Sequence, residues 1–179
     1  MTLVGFVAQN HPQQTVKDAV DDRGTNAEFF AKMTERFGPF DLDVAAAPHN
    51  AKCERYYPTV EDGLHREWDA RRVWCNPPYS NIGRWVEKAW VQWRLQDRLT
   101  RIVMLLPANR TEQKWWQEHV EPFRDGREYR QCGSVSIPAH QFHVEFLPGR
   151  MRFDRPGVVV GPKGDRPPFG CCLLIWGLR

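Results

Sequence analysis

The sequence places two consecutive prolines directly after an apolar run. Val73–Cys75 is followed by Asn76, then by Pro77 and Pro78, and then by Tyr79. Proline cannot donate a hydrogen bond to a neighbouring strand, so a strand that contains the apolar run must end there. A side-chain amide, backbone carbonyls and a phenol are then left together at the carboxyl end of the strand. Ligands bind at this end of the strands in open α/β sheets, so the tetrapeptide predicts a ligand site.

This tetrapeptide suits a planar substrate with an exocyclic amino group, such as adenine. The lone pair of such an amine is delocalised into the ring, which makes the nitrogen a poor nucleophile. If the Asn76 side-chain oxygen and the Pro77 carbonyl each accept one N–H, the lone pair is freed to attack an electrophilic methyl group. Tyr79 would stack on the base, a contact worth roughly 1–3 kcal/mol, and a base in a duplex would have to be flipped out. The same residues could instead be only a stiff turn that ends a strand.

Other motifs surround the tetrapeptide in a definite order. Residues 40–48 read FDLDVAAAP, residues 50–53 read NAKC and residues 61–64 read EDGL. With the tetrapeptide, this order resembles the phage-type DNA N6-adenine methyltransferases, which use S-adenosylmethionine as methyl donor. The resemblance covers most of the chain from about residue 22 onward, and its specific part is the pair formed by residues 40–48 and the tetrapeptide. It implies catalytic roles for Asn76, Pro77, Pro78 and Tyr79.

The resemblance also implies a set of residues that bind the donor. Asp43 would meet the α-ammonium or the ribose hydroxyls of S-adenosylmethionine, and the small Ala45 and Ala46 would permit its close approach. Thr25 stands where relatives usually carry a Thr-Pro pair. A helix-capping carboxylate is the alternative for Asp43, and an ordinary turn residue is the alternative for Asp62. The implied cofactor-binding residues are Thr25, Asp43, Ala45, Ala46, Asp62 and Leu64.

Basic and polar residues near the same edge are the candidates for contacts with DNA. Asn109 and Arg110 follow an apolar strand predicted over Ile102–Leu106. Arg84 and Lys88 lie on one face of the helix predicted after the tetrapeptide, and a solvated helix face also explains them. The substrate-binding candidates are therefore Arg84, Lys88, Asn109 and Arg110. Further candidates for phosphate contacts, which position a duplex without reading it, are Arg124, Arg127 and Lys163.

The pattern of apolar segments predicts an α/β fold. The resemblance implies a Rossmann-like S-adenosylmethionine-dependent methyltransferase fold with a shortened, mostly parallel sheet and a C-terminal antiparallel hairpin. The sheet must be shortened because the stretch between Asp43 and Asn76 is too short for complete βαβαβ units. The other predicted strands are Phe40–Val44, Phe142–Phe146 and Cys171–Trp176, and the predicted helices end near Phe37, Arg98 and His119.

Length and composition limit the number of domains and the cellular location that the sequence can have. A chain of 179 residues predicts one domain over 22–179 after a loose lead-in over 1–21. The net charge of +3 is too slight to indicate nucleic-acid binding by itself. The amino terminus does not resemble a signal peptide, and no apolar run is long enough to span a membrane. Five cysteines without Cys-x-x-Cys spacing indicate reduced thiols and a cytoplasmic location, and no set of four metal ligands is present.

Three alternatives share parts of this pattern. The tetrapeptide can also present a glutamine side-chain amide, as in a protein methyltransferase, or the N4 amine of cytosine. A nucleic-acid-binding module that has lost its donor site is the third. The partners expected are DNA and S-adenosylmethionine, without a membrane, for a monomer or a homodimer. A phage or prophage origin follows from the resemblance alone.

Overall fold

The computed structural model describes residues 24–58, 60–96, 100–126, 141–154 and 167–177. The predicted lead-in lies outside these ranges. In the described part, the helices are α1 (Ala27–Phe37), α2 (Val60–His65), α3 (Ile82–Leu95) and α4 (Lys114–His119). The strands are β1 (Gly24–Thr25), β2 (Leu42–Asp43), β3 (Arg72–Cys75), β4 (Arg101–Pro107), β5 (Phe142–Phe146), β6 (Phe153–Asp154) and β7 (Cys171–Trp176). No helix in these ranges is both long enough and apolar enough to cross a lipid bilayer.

Five of the strands form one mixed sheet in the order β2-β3-β4-β7-β5. The pairs β2–β3 and β3–β4 are parallel, whereas β4–β7 and β7–β5 are antiparallel. The prediction of a mostly parallel sheet was therefore wrong for the pairings, since the two antiparallel ladders are also the longer ones. Apolar runs predict that a strand is buried but not which way it points. β2, β3, β4 and β5 do share one direction, with β7 reversed between β4 and β5.

The predicted C-terminal hairpin is only partly correct. β5 and β7 pair in antiparallel fashion, as expected, from Phe142 opposite Trp176 to Phe146 opposite Cys172. However, β6 lies between them in the sequence and pairs with β1 in a separate two-stranded sheet. The chain between β5 and β7 thus forms a strand beside β1 before it enters the main sheet again as β7.

The outer edge of the sheet explains why so few residues are needed between Asp43 and Asn76. β2 is shorter than predicted, although the Val44 N–H donates to the Trp74 carbonyl at 3.1 Å and extends the pairing. On its other side, the Asp43 N–H donates to the Arg55 carbonyl at 3.0 Å, and the Tyr57 N–H donates to the Asp43 carbonyl at 2.9 Å. This parallel bridge stands in place of a full outer strand.

The core lies on both faces of the sheet. On one face, α1 packs Met33 and Phe37 against Trp74. On the other face, α3 contributes a stripe that contains Trp85 and Trp93, both 0% exposed. This tryptophan stripe therefore belongs to the core, because burial of these indoles leaves no face open for a base.

The starts of the two long helices differ. The Asn26 side-chain oxygen accepts hydrogen bonds from the N–H groups of Glu28 and Phe29 at 3.0 and 3.3 Å, so Asn26 caps α1. Asn81 precedes α3 but forms no side-chain capping bond. Asn81 therefore does not cap α3, although asparagine is a common capping residue.

Candidate active site at the carboxyl edge of the sheet

The strand register brings the two sequence motifs to one edge of the sheet. Asp43 pairs with Trp74, and Cys75 pairs with Met104. Because the three strands are parallel, their carboxyl ends meet on the same side. Asn76 follows β3 directly, so it stands at the edge where β2 ends with Asp43.

The tetrapeptide leaves β3 as an extended segment and then turns. Pro77 is buried, and Pro78 has φ −53° and ψ 130°, which is a polyproline conformation. The chain then enters a 3₁₀ turn at Tyr79–Asn81 that leads into α3. The Tyr79 hydroxyl donates a hydrogen bond to Asn76 Oδ1 at 3.4 Å. The phenol and the amide of the tetrapeptide thus face each other across the turn.

Two phenylalanines from the far end of the sequence hold the Tyr79 ring. The centroid of Phe153 lies 6.3 Å away with the rings at 84°, and that of Phe169 lies 6.1 Å away at 66°. Such near-perpendicular pairs are favourable arrangements of aromatic rings. Neither residue is predicted from the sequence, because nothing local in the chain connects them with position 79.

Thr25 joins the same corner through β1. Its partner in the β1–β6 ladder is Phe153, the residue that contacts Tyr79. The neighbouring Gly24 lies against the loop after β2, where a Cβ atom would come within 3.4 Å of Asn50 Cβ. Thr25 is 2% exposed, and its hydroxyl has no hydrogen-bond partner among the described residues. A buried hydroxyl without a partner is costly, and here it lies beside the predicted donor site.

Asp43 is a buried carboxylate with only part of its hydrogen-bonding capacity used. It is 3% exposed, and its two oxygens accept from the N–H groups of Ala45 at 3.2 Å and Lys52 at 3.1 Å. Burial raises the pKa of Asp43 to about 6, and the two backbone N–H groups oppose that rise. Since an ionised carboxylate has about four lone-pair positions, Asp43 can accept further donors.

The loop after β2 is tied back to its own chain. The Ala46 N–H donates to the Tyr57 carbonyl at 3.3 Å, and the Ala47 N–H donates to Asn50 Oδ1 at 2.7 Å. Ala45 is half-buried beside Asp43. Ala45 and Ala46 are thus placed next to the carboxylate, as the motif requires.

Helix α2 packs against the end of β2 through a glycine. A Cβ atom on Gly63 would lie 2.3 Å from the Val44 carbonyl oxygen and 2.3 Å from the Trp85 ring. Leu64 is buried in the same core cluster. Asp62 forms an ion pair with Arg66 at 3.2 Å. The structure therefore places Leu64 in the core and Asp62 on a helix rather than in a turn.

The end of β4 brings the next candidates to the same edge. The Ala108 N–H donates to the Gly170 carbonyl at 2.9 Å, which fixes the chain as it leaves the strand. Asn109 is exposed. Arg110 is half-buried, and its Nε atom is buried without a hydrogen-bond partner in the described part of the chain. One N–H of the Arg110 guanidinium is therefore buried without a partner near the carboxyl edge of the sheet.

A groove runs from Tyr79 between the first turns of α3 and helix α4. We call it the α3–α4 groove; it is open to solvent and has a volume of about 610 Å³. Its lining includes Tyr79, Asn81, Arg84, Gln113 and Trp115, together with the carboxylates of Glu87 and Glu118. Lys88 does not line the groove. Burial lowers the pKa of Lys88, and the nearby Glu67 carboxylate opposes this decrease. Of Arg84 and Lys88, two residues on one helix, only Arg84 lines the groove.

The remaining phosphate candidates do not extend this site. The Arg124 guanidinium donates to both carboxylate oxygens of Glu121, at 3.1 and 3.0 Å, so its charge is already paired. Arg127 and Lys163 lie outside the described residues.

Comparison with known proteins identifies the family. Residues 12–127 match the family model described as DNA N-6-adenine-methyltransferase (Dam). The chain belongs to this family. Both Asp43 and the tetrapeptide lie within the matched range, so the family resemblance that the motifs indicated is confirmed.

Two curated relatives of the family are similar to this chain. One is the DNA N-6-adenine-methyltransferase of Escherichia phage T1, which is 35% identical over 134 residues, 67% of this chain and 55% of the relative. The other carries the same description in Haemophilus phage HP1 (strain HP1c1) and is 36% identical over 99 residues, 55% of this chain and 54% of the relative. The chain thus spans about half the length of the curated relatives it matches.

Proposed function

We propose that this chain transfers the methyl group of S-adenosylmethionine to the N6 amine of adenine in DNA. The observation that carries the proposal is the meeting of Asp43 and the Asn76–Tyr79 tetrapeptide at one edge of the sheet in a member of the DNA adenine methyltransferase family. The strand directions support a Rossmann-like fold, since four strands share one direction and only β7, between β4 and β5, is reversed. In such folds, ligands bind at the carboxyl edge of the sheet.

The tetrapeptide would orient the adenine amine. Asn76 Oδ1 accepts from the Tyr79 hydroxyl, and we propose that it also accepts one N6 hydrogen, since an amide oxygen can accept two hydrogen bonds. The Pro77 carbonyl would accept the other hydrogen. Two acceptors placed in this way draw the nitrogen toward tetrahedral geometry and stabilise the positive charge that develops on it. The role of these residues is therefore orientation and electrostatic stabilisation rather than proton abstraction by a strong base.

Tyr79 would hold the flipped base by stacking. Phe153 and Phe169 restrict the ring on the protein side, so little side-chain freedom is lost when a base binds. Stacking on an aromatic side chain is worth roughly 1–3 kcal/mol per base and does not depend on base identity. The acceptors of Asn76 and Pro77 would therefore favour a base with an exocyclic amine, such as adenine, over thymine, which has none.

The residues around β2 fit a donor such as S-adenosylmethionine. Its sulfonium supplies an electrophilic methyl group. Asp43 would accept from its α-ammonium or ribose hydroxyls, and the unpartnered Thr25 hydroxyl would gain a hydrogen bond. Ala45 and Ala46 would allow close approach, and Asp62 would lie near its adenine ring. Arg84, Lys88, Asn109 and Arg110 remain the proposed contacts with DNA.

Labelled S-adenosylmethionine tests this function directly. The chain would be incubated with the donor and either DNA, DNA in which adenine is replaced, or total protein. We expect label in adenine-containing DNA alone. Label in protein would favour a glutamine methyltransferase, and label in DNA without adenine would favour cytosine N4. Donor binding without any transfer would contradict the proposal, and no donor binding would favour a nucleic-acid-binding module.

A further inference from the structure

The α3–α4 groove continues directly from the residue that would stack on the target base. Tyr79 lines the groove at one end, and its ring also belongs to the proposed base site. A volume of about 610 Å³ falls within the roughly 300–1,000 Å³ of sites that hold small organic ligands. A strand whose adenine is flipped onto Tyr79 must also route its neighbouring nucleotide past the same turn.

Unused polar groups line this groove. Asn81 is exposed, forms no capping bond and has no hydrogen-bond partner among the described residues. Arg84 is exposed and likewise has no ion-pair partner within the described ranges. The side-chain amide of Asn pairs with base edges, and guanidinium groups pair with phosphates and base edges. Asn81 and Arg84 can therefore form hydrogen bonds with a ligand in the groove or with solvent.

The wall of the groove is an indole in a fixed position. Trp115 is half-buried, and its Nε1–H donates to Gln113 Oε1 at 2.8 Å. A Cβ atom on Gly83 would lie 3.0 Å from Trp115 Cβ, so the glycine permits the close packing of α3 against α4. The hydrogen bond occupies the Gln113 oxygen and leaves its amide N–H groups without a partner in the described part of the chain. A restrained indole next to such groups is suited to a base.

We propose that the α3–α4 groove binds the nucleotide adjacent to the target adenine on the same strand. Trp115 would contact its base, Asn81 and Gln113 would read its edge, and Arg84 would contact its phosphate. Selectivity for a neighbouring base would thus come from the catalytic domain itself. This inference rests on the proposed function, since it requires a DNA strand at Tyr79.

A substitution series separates this inference from the proposed function. Initial rates would be measured on duplexes that share one target adenine and differ only in the base on either side. We expect the unsubstituted protein to discriminate among neighbours on one side, and Asn81→Ala to reduce that discrimination by about tenfold, because a good base-edge pair contributes roughly 1–3 kcal/mol. Affinity for S-adenosylmethionine should not change. Gln117→Ala, an exposed amide of α4 that donates to the Thr111 carbonyl, is the matched control.

The outcomes are distinct. Methylation of DNA without neighbour preference, or with a preference that Asn81→Ala leaves intact, would overturn the groove proposal and leave the proposed function standing. Failure to methylate any DNA would overturn both. A second measurement does not depend on a variant: DNA with 5-iodouracil beside the target adenine should photocrosslink to Trp115. A crosslink only to residues outside the groove would contradict the proposal.

Discussion

Thr25 and Phe153 pair across a two-residue ladder, although they lie far apart in the sequence. Phe153 also contacts the Tyr79 ring, so one residue connects the proposed donor side of the site with the proposed base side. The geometry of the tetrapeptide therefore depends on a segment far from it in sequence. This dependence, together with the burial of Asp43, leads to four predictions.

The first prediction concerns Asn76. Asn76→Ala removes one of the two proposed acceptors for the N6 amine, so we expect kcat to fall by at least about 100-fold, as when a donor of an oxyanion hole is removed. Affinity for S-adenosylmethionine should stay within about twofold. Asn76→Asp is the matched variant, because it keeps oxygen acceptors at this position and should retain measurable turnover. Normal turnover in Asn76→Ala would exclude the mechanism.

The second prediction is a pH dependence of donor binding. Because the pKa of Asp43 is raised to about 6, its carboxyl group is protonated below that pH and loses the negative charge that attracts an ammonium group. Donor affinity should therefore rise as the pH increases through about 6 and level off above it. Calorimetric titration between pH 5 and 7 would measure this, below the range of roughly 7.7–8.0 where an α-amino group titrates. Asp43→Asn should bind weakly with no such dependence.

The third prediction is the effect of the same carboxyl on stability without donor. The pKa of Asp43 is higher in the folded chain than the ordinary value of 3.8 for an exposed aspartate, so the folded state binds the proton more tightly. Its contribution to stability is fully present below about pH 4 and is lost as the pH rises through about 6, a change of about 3 kcal/mol. Urea unfolding at several pH values should show the difference between Asp43→Asn and the unsubstituted chain changing over this window. A constant difference would contradict it.

The fourth prediction compares two phenylalanines. Phe153 is 2% exposed, whereas Phe146 is 50% exposed. Phe153→Ala should lower the free energy of unfolding by about 3–5 kcal/mol, because it removes a buried ring that contacts Tyr79. Phe146→Ala should lower it by less than about 1 kcal/mol. Denaturant titrations of both variants would measure this, and equal effects would show that the ring of Phe153 does not support the site.

Much of the site follows from short-range sequence signals. The two prolines end β3 by their own chemistry, and Asn26 caps α1 because its side chain reaches the next N–H groups. These features depend on neighbouring residues, so a single sequence is enough to predict them. The motif that contains Asp43 could likewise be placed at a strand end from its own residues.

The parts that the sequence does not predict depend on distant segments. The apolar run Cys171–Trp176 indicates a buried strand, but its reversed direction follows from the route of the chain after β5. Phe169 and Trp115 resemble ordinary core residues until the fold brings them beside the tetrapeptide or into the groove. Asn81 has the residue type of a helix cap, yet its backbone, at φ −141° and ψ 43°, does not present the side chain to the helix.

The position of β7 also bears on how the chain is made. In the sheet, β4 and β5 are joined only through β7, yet both leave the ribosome before it. Until Cys171–Trp176 has been synthesised, each has an unpaired apolar edge that can associate with other chains. A nascent chain halted before this segment should therefore need a chaperone, and its release should coincide with the emergence of β7.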